Sequence, residues 1–258
     1  MLTTVYPAAY SFKEQKTMRI IVFGSNGPTG RLVVRDAVAA GHAVTAFTRH
    51  PAGFSVPGLR LPDARVAVVE GDVYDVAAVE RAVADHDVVI STLGVPFGKA
   101  PITVYSAGIE AILRAMHAAA VKRLICVSSS AVDPSAGAHG GWFFEKVLQG
   151  YLVTVMGKTL YADMRRMEQV VQASDVDFTI VRPSGLFETP QATDYAVAEN
   201  FVKSKFTSRA DLAASLLAQA SDPTFVRKVM AVGTVQVQPS MLQLLWREGI
   251  RKPRPSVA

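Results

Sequence analysis

Short apolar runs separated by segments of helical period organise this chain. The first run, Arg19–Phe23, is nearly unbroken and rich in β-branched residues, so it reads as a strand buried on both faces. Gly24, Gly27 and Gly30 follow at once. Leu32, Val33, Ala37, Val38 and Ala40 then recur at helical spacing until Gly41, a C-cap residue. Further strands are predicted at residues 42–47, 65–70 and 87–91, in the LICV run, and at 178–182 and 228–232. Helices are predicted from residue 76 to about 85, across 104–116, ahead of residue 178, from Ser208, and at 240–246. Asp75 and Ser208 are placed to cap the helices that follow them, with Asp211 completing a box-like pairing with Ser208. Strands that alternate with helices predict one α/β domain, a parallel sheet wound with helices on both faces.

Strand, glycine turn and helix, in that order, are what a dinucleotide needs. The turn must bend tightly, its backbone must come close enough to donate N–H groups to a pyrophosphate, and the helix must begin there so that its positive end faces the anion. Side chains at Gly24 and Gly27 would block that approach. The other reading of these glycines is a tight strand-to-helix turn and nothing more. Their Gly-x-x-Gly-x-x-Gly spacing, filled by Ser25, Asn26, Pro28 and Thr29 and followed by Arg31, resembles the fingerprint of the extended and atypical short-chain dehydrogenase/reductases. GSNGPTGR looks most like the branch of flavin reductases of the biliverdin reductase B type and NmrA-like NADP-binding proteins. The resemblance covers most of residues 18–232. It implies a single-domain, Rossmann-type, doubly wound parallel sheet with a small substrate-side lid, and cofactor binding by Gly24, Ser25, Asn26, Gly27, Pro28, Thr29, Gly30 and Arg31.

Composition narrows the choice of partners. Half of the 258 residues are hydrophobic, enough for one sizeable core. The net charge of +5 is scattered apart from a modest cluster at Arg247, Arg251, Lys252 and Arg254. Without an aromatic-interleaved basic stripe, no nucleic-acid partner is expected. Cys126 is the single cysteine, which excludes intrachain disulfides and Cys-based zinc sites, and no histidine pair has ligand spacing, so no metal is expected. No apolar run reaches transmembrane length, so no membrane partner is expected, and the expected location is cytoplasmic. Residues 1–17 lack a secretory pattern, and Met18 abuts the first strand. They are expected to form a flexible arm outside the fold, or to reflect an early start, and residues 251–258 a disordered basic tail.

About twenty residues beyond the glycines, NAD enzymes place a carboxylate on the ribose hydroxyls; this chain has Arg49. A guanidinium there neutralises a 2′-phosphate through forked hydrogen bonds, with Arg31 flanking it, so NADP(H) is favoured over NAD(H). The alternative is a solvated residue opening a Pro- and Gly-rich loop. The family resemblance implies Asp72 and the backbone of Val73 beside the adenine, Ser91, Thr92, Leu93 and Gly94 along the nicotinamide ribose, and Pro183 and Ser184 closing over the nicotinamide. It also makes Ser128 the first catalytic candidate, with Ser129 and Ser130 behind it, although a run of three serines equally caps a loop. Trp142, Phe143, Tyr151 and Phe187 are candidates for the substrate side, where aromatic rings stack on a flat molecule; core packing or a dimer contact explains them as well. His139, in the loop after Ser128, is the histidine placed to reach the substrate, and residues 189–206 are expected to form an excursion on the substrate side.

Short-chain dehydrogenases commonly use Tyr-x-x-x-Lys, in which the lysine holds the ribose and the phenol passes a proton to a carbonyl. Tyr161 and Arg165 have that spacing. Counting back from Arg182-Pro183, however, the family positions fall on Leu160 and Met164, with Glu168 where the family often has an acid. Tyr161 and Arg165 are then one residue out, about 100° around the helix, and arginine lacks the compact ammonium of lysine. Without the dyad, the chemistry left is hydride transfer to an electron-poor conjugated acceptor of the flavin, quinone or linear tetrapyrrole class, whose reduced anion is delocalised and protonated by water. The expectation is an NADPH-dependent reductase of such a small molecule, acting as a monomer or dimer. A non-catalytic NmrA-like NADP(H) sensor fits the missing dyad equally well, and a structural subunit retaining the fold is a third possibility.

Overall fold

A computed structural model of the chain describes residues 3–7, 16–96, 100–133 and 158–237. Strands β1 (Thr4–Tyr6), β2 (Arg19–Phe23), β3 (Ala43–Thr48), β4 (Val66–Glu70) and β5 (Val88–Ser91) alternate with helices α1 (Pro28–Ala39) and α2 (Val76–Val83). Helix α3 (Val104–Ala118), β6 (Arg123–Val127), α4 (Lys158–Ala173) and β7 (Asp177–Pro183) continue the pattern. The chain then forms β8 (Gly185–Phe187), β9 (Tyr195–Glu199), β10 (Phe206–Ser208), α5 (Arg209–Ala218) and β11 (Lys228–Thr234).

The main sheet has the order β1-β9-β11-β7-β6-β5-β2-β3-β4 among the described residues. Its strands from β4 to β11 are mutually parallel, while β9 runs antiparallel on β11 and β1 antiparallel on β9. The absence of polar positions after Arg19 in the first apolar run now has its cause. β2 lies at the centre of the sheet, with Ile20 and Val22 in the core under α1 and α5, and Ile21 and Phe23 in the core under α2, α3 and α4. Because β2 pairs with β3 on one side and β5 on the other, the order of strands reverses here, and the crevice beyond their carboxyl ends is where open α/β sheets take ligands. The fold class is the Rossmann-type doubly wound sheet expected.

Three expectations need correction. Thr4–Tyr6, placed in a flexible arm, is instead an edge strand on β9. Its Tyr6 ring stacks on Tyr195 at 5.5 Å, and the Tyr6 hydroxyl donates to the Asp222 carboxylate at 2.7 Å. Three residues are too few to show a period, and their partner lies some 190 residues away in the chain. The stretch 189–206, read as a substrate-side excursion, contributes β9 to the main sheet. Asp211 donates its N–H to the Ser208 hydroxyl at 2.9 Å, but its carboxylate does not return to Ser208. It accepts from the Thr193 N–H at 2.6 Å and from the Thr193 and Thr234 hydroxyls, while the Ser208 N–H donates to Thr234 Oγ1. A buried carboxylate needs several donors, and the strands around α5 supply them. The helix predicted at residues 240–246 and the tail at 251–258 lie outside the described residues.

Candidate dinucleotide site

At the switch point, Gly24 takes φ +72°, and a Cβ there would lie 2.5 Å from the Thr92 carbonyl oxygen. Thr92 closes the same corner from β5: its N–H donates to the Phe23 carbonyl at 2.9 Å, and its hydroxyl reaches the Phe23 and Gly24 carbonyls. A Cβ on Gly30 would collide with the Gly24 carbonyl and lie 2.8 Å from Ser25 Cα. These two glycines let strand, turn and helix approach one another. Gly27 has a different task. Only the Gly24 carbonyl, at 3.2 Å, would meet a Cβ there, so the backbone lies bare where α1 begins. Pro28 has no N–H to offer and serves by starting the helix. The first helical bond runs from the Arg31 N–H to the Gly27 carbonyl, which leaves the Thr29 and Gly30 N–H groups as first-turn donors facing any anion at the helix end. The cradle fits a dinucleotide's pyrophosphate.

Several side chains are committed elsewhere than expected. Ser25 is fully buried, and its hydroxyl donates to the Phe47 carbonyl at 2.9 Å, so it ties the turn to β3 rather than facing a ligand. Arg31 is held by the Asn26 amide oxygen, with Nε at 3.1 Å. Arg49 is exposed at the end of β3. Asp72 accepts from the Tyr74 N–H at 3.1 Å and shapes the turn before α2. Val73 is buried against Gly108 of α3, where a Cβ would crowd both Leu93 and Val73. The backbone of that turn, together with Ser91 at the end of β5 and Thr92 to Gly94 beyond it, lies at the same carboxyl edge of the sheet.

At the carboxyl end of β6, where the nicotinamide is expected from the sequence, the Ser128 N–H extends the β6–β7 ladder by donating to the Val181 carbonyl at 2.8 Å. The Ser128 hydroxyl is buried and has no partner among the described residues. Ser129 behaves differently: its hydroxyl accepts from the Ala131 N–H at 3.2 Å and pairs with the Tyr161 hydroxyl. Leu160 and Met164 are buried in the core of α4, so the positions given by counting from Arg182 carry no polar group, and the neighbouring Tyr161 reaches the serine loop. Burial raises the Tyr161 phenol above its ordinary pKa, partly opposed by the Ser129 bond. Arg165 donates Nε to the Val132 carbonyl at 2.9 Å, which holds the loop after β6. Ser184, expected at the cofactor, spends its N–H on Thr207 Oγ1 and its hydroxyl on the Ser204 carbonyl, and Pro183, the last residue of β7, is buried beside β11. Phe187 meets Phe206 edge-on at 6.4 Å. Trp142, Phe143, Tyr151 and His139 lie outside the described residues.

Two buried ionic groups brace this end of the sheet, and their partners were not legible in the sequence. Arg182 forms a forked pair with Glu168, Nε to Oε1 at 2.9 Å and Nη2 to Oε2 at 2.6 Å, and reaches Asp133 at 3.4 Å. Asp163 is fully buried; it accepts from the Tyr105 N–H at 2.9 Å and the Ser106 hydroxyl at the start of α3, and pairs with Arg166. An acid in the middle of a helix of mixed polarity reads as solvated, and its destination appears only once α3 is docked. No group of three His, Cys, Asp or Glu that could hold a metal occurs among the described residues. None of their helices is long and apolar enough to cross a membrane.

With this geometry in place, residues 24–223 match a family model described as NAD(P)H-binding. The chain belongs to that NAD(P)H-binding family. The glycine cradle at the start of α1 falls within the matched span, in keeping with the short-chain dehydrogenase/reductase resemblance of its sequence. A Zea mays isoflavone reductase homolog is 39% identical to this NAD(P)H-binding chain over 80 residues, 30% of the chain and 26% of the relative. The match thus spans about a quarter of that protein's length. An uncharacterized sugar epimerase of Bacillus subtilis, YhfK, is 26% identical over 212 residues, 80% of the chain and 89% of the relative. Among solved structures, the Escherichia coli O157:H7 anaerobillin reductase ChuY shares the fold, with a TM-score of 0.65 at 24% identity, covering 86% of this chain and 100% of that one.

Proposed function

We propose that this protein is an NADPH-dependent oxidoreductase that reduces a small conjugated acceptor of the flavin, quinone or linear tetrapyrrole class. The cradle at Gly24, Gly27 and Gly30 carries the reading, because it presents bare backbone and first-turn N–H groups at the switch point. The preference for the phosphorylated cofactor rests on Arg49, exposed at the end of β3 where an NAD enzyme would carry an acid. Thr29 and Gly30 would hold the pyrophosphate, the Asp72–Val73 turn the adenine, Ser91 to Gly94 the second ribose, and Pro183 one face of the nicotinamide. When bound, the cofactor supplies hydride.

The chain's own task is then to orient and enclose. The buried Ser128 hydroxyl, without a partner among the described residues, is placed to hydrogen-bond a substrate. Tyr161 has no lysine four residues on, and the arginine at that position is engaged by the Val132 carbonyl. This favours an acceptor whose reduced form takes its proton from water over a simple ketone. The anaerobillin reductase among the solved neighbours supports the acceptor class; the sensor alternative draws no support from these relatives. The test is the loss of NADPH absorbance when purified protein meets a panel of FMN, quinones and linear tetrapyrroles. Turnover with one class is the expected result. Silence across the panel from protein that binds NADPH would overturn the acceptor assignment.

A further inference from the structure

Arg209 is the first residue of α5, directly after the Ser208 N-cap. A cation there faces the positive end of its own helix dipole, an arrangement that helices disfavour. It also faces a second one. Its Nη1 lies 3.3 Å from the hydroxyl of Thr29, the second residue of α1, so its guanidinium stands between two helix N-termini. Among the described residues its countercharge is Glu188, with Oε1 at 2.9 Å from Arg209 Nε. The Glu188 side chain is 54% exposed and that of Arg209 27%, so solvent weakens the pair.

The placement is fixed by the backbone rather than by a wandering side chain. β8 and β10 pair in parallel with Phe187 opposite Ser208, and Glu188 and Arg209 are the residues that directly follow the two strands. β8 follows directly on Pro183 and Ser184, at the nicotinamide side. Two helix ends and a guanidinium with one exposed partner make an anion site, and the Thr29 contact puts it at the α1 cradle.

We propose that Arg209 clamps the pyrophosphate of the bound dinucleotide, exchanging Glu188 for the phosphate oxygens. This rests on the cofactor reading above and adds a residue outside the glycine motif. Because the pyrophosphate is common to both cofactors, Arg209 acts on NADPH and NADH alike, unlike Arg49. Glu188 then competes with the ligand for the guanidinium, so removing either partner of the pair has opposite consequences.

The test is fluorescence titration of the full chain with NADPH and with NADH, for wild type, Arg209→Met and Glu188→Gln, each with its thermal midpoint. Arg209→Met should weaken both cofactors by about tenfold or more, and Glu188→Gln should leave both unchanged or bind them more tightly. If both variants weaken binding to a similar extent, the pair is a structural strut and the proposal fails. It also fails if Arg209→Met stays within about twofold of wild type, a change below one ordinary hydrogen bond, or if NADPH alone is affected. Wild type that binds neither cofactor would overturn the cofactor reading itself, a result distinct from all of these.

Discussion

Three glycine-to-alanine substitutions separate the cost of backbone conformation from the cost of close approach. Gly41 has φ +88°, and nothing lies within 4 Å of the place a methyl group would take there, so Gly41→Ala carries left-handed strain alone, about 1–2 kcal/mol. Gly24→Ala carries the same strain at φ +72° and also drives a Cβ to 2.5 Å from Thr92 O, 2.6 Å from Thr92 C and 2.9 Å from Leu93 N. All three are backbone atoms of the switch-point corner, so no side chain can swing away. Overpacking of this kind adds about 1–3 kcal/mol, for a total of roughly 2–5 kcal/mol. Gly30 has no left-handed strain, and alanine gains about 1 kcal/mol of helix propensity over glycine, but its Cβ collides with the Gly24 carbonyl; a net loss of up to about 2 kcal/mol is expected. Urea unfolding midpoints at constant slope give the stabilities, and NADPH titration gives the consequence for the site. Gly24→Ala and Gly30→Ala should weaken NADPH because both displace the start of α1, whereas Gly41, at the far end of that helix, should not. The reasoning is refuted if Gly24→Ala is no less stable than Gly41→Ala, or if Gly41→Ala weakens NADPH as much as Gly24→Ala.

Arg49→Ala should weaken NADPH by about 10- to 100-fold, the range of a charge-assisted hydrogen bond, and leave NADH nearly unchanged; equal losses would remove the 2′-phosphate role. Ser128→Ala should lower turnover by roughly tenfold, one hydrogen bond's worth, with NADPH affinity intact, and unchanged turnover would take Ser128 out of the reaction. Tyr161→Phe should keep turnover within about threefold, whereas a loss of about 100-fold or more, the size of general-acid catalysis, would make the phenol the proton donor. Glu168→Gln leaves the Arg182 charge buried without its forked partner, and should cost about 3–5 kcal/mol in urea unfolding. Pairing it with Arg182→Met should recover most of that loss, and a double variant no more stable than the single would refute the ion pair as the cause.

Local chemistry was legible wherever the deciding residues are neighbours in the chain. The β2 run, the glycine turn, Pro28 at the start of α1, Gly41 beyond its end and the Asp75 cap, accepting from the Ala78 N–H at 3.0 Å, depend on residues a few positions apart. From these the doubly wound class and the glycine turn at the start of α1 could be read directly. Tertiary structure decided everything whose partner is remote. β1 became a strand because β9 offered an open edge, and Asp163 became a cap because α3 begins against it. Tyr161 met Ser129 because the phase of α4 is set by burying Leu160 and Met164, not by counting from Arg182. Ser25 and Ser184 turned inward because buried carbonyls nearby needed donors, and Arg209 reached Thr29 across 180 residues because the β8–β10 pairing aims it there. Hydrophobic period and turn chemistry act over one or two helical turns, whereas the partner of a buried polar group is chosen only when the elements pack and every donor and acceptor must be satisfied at once.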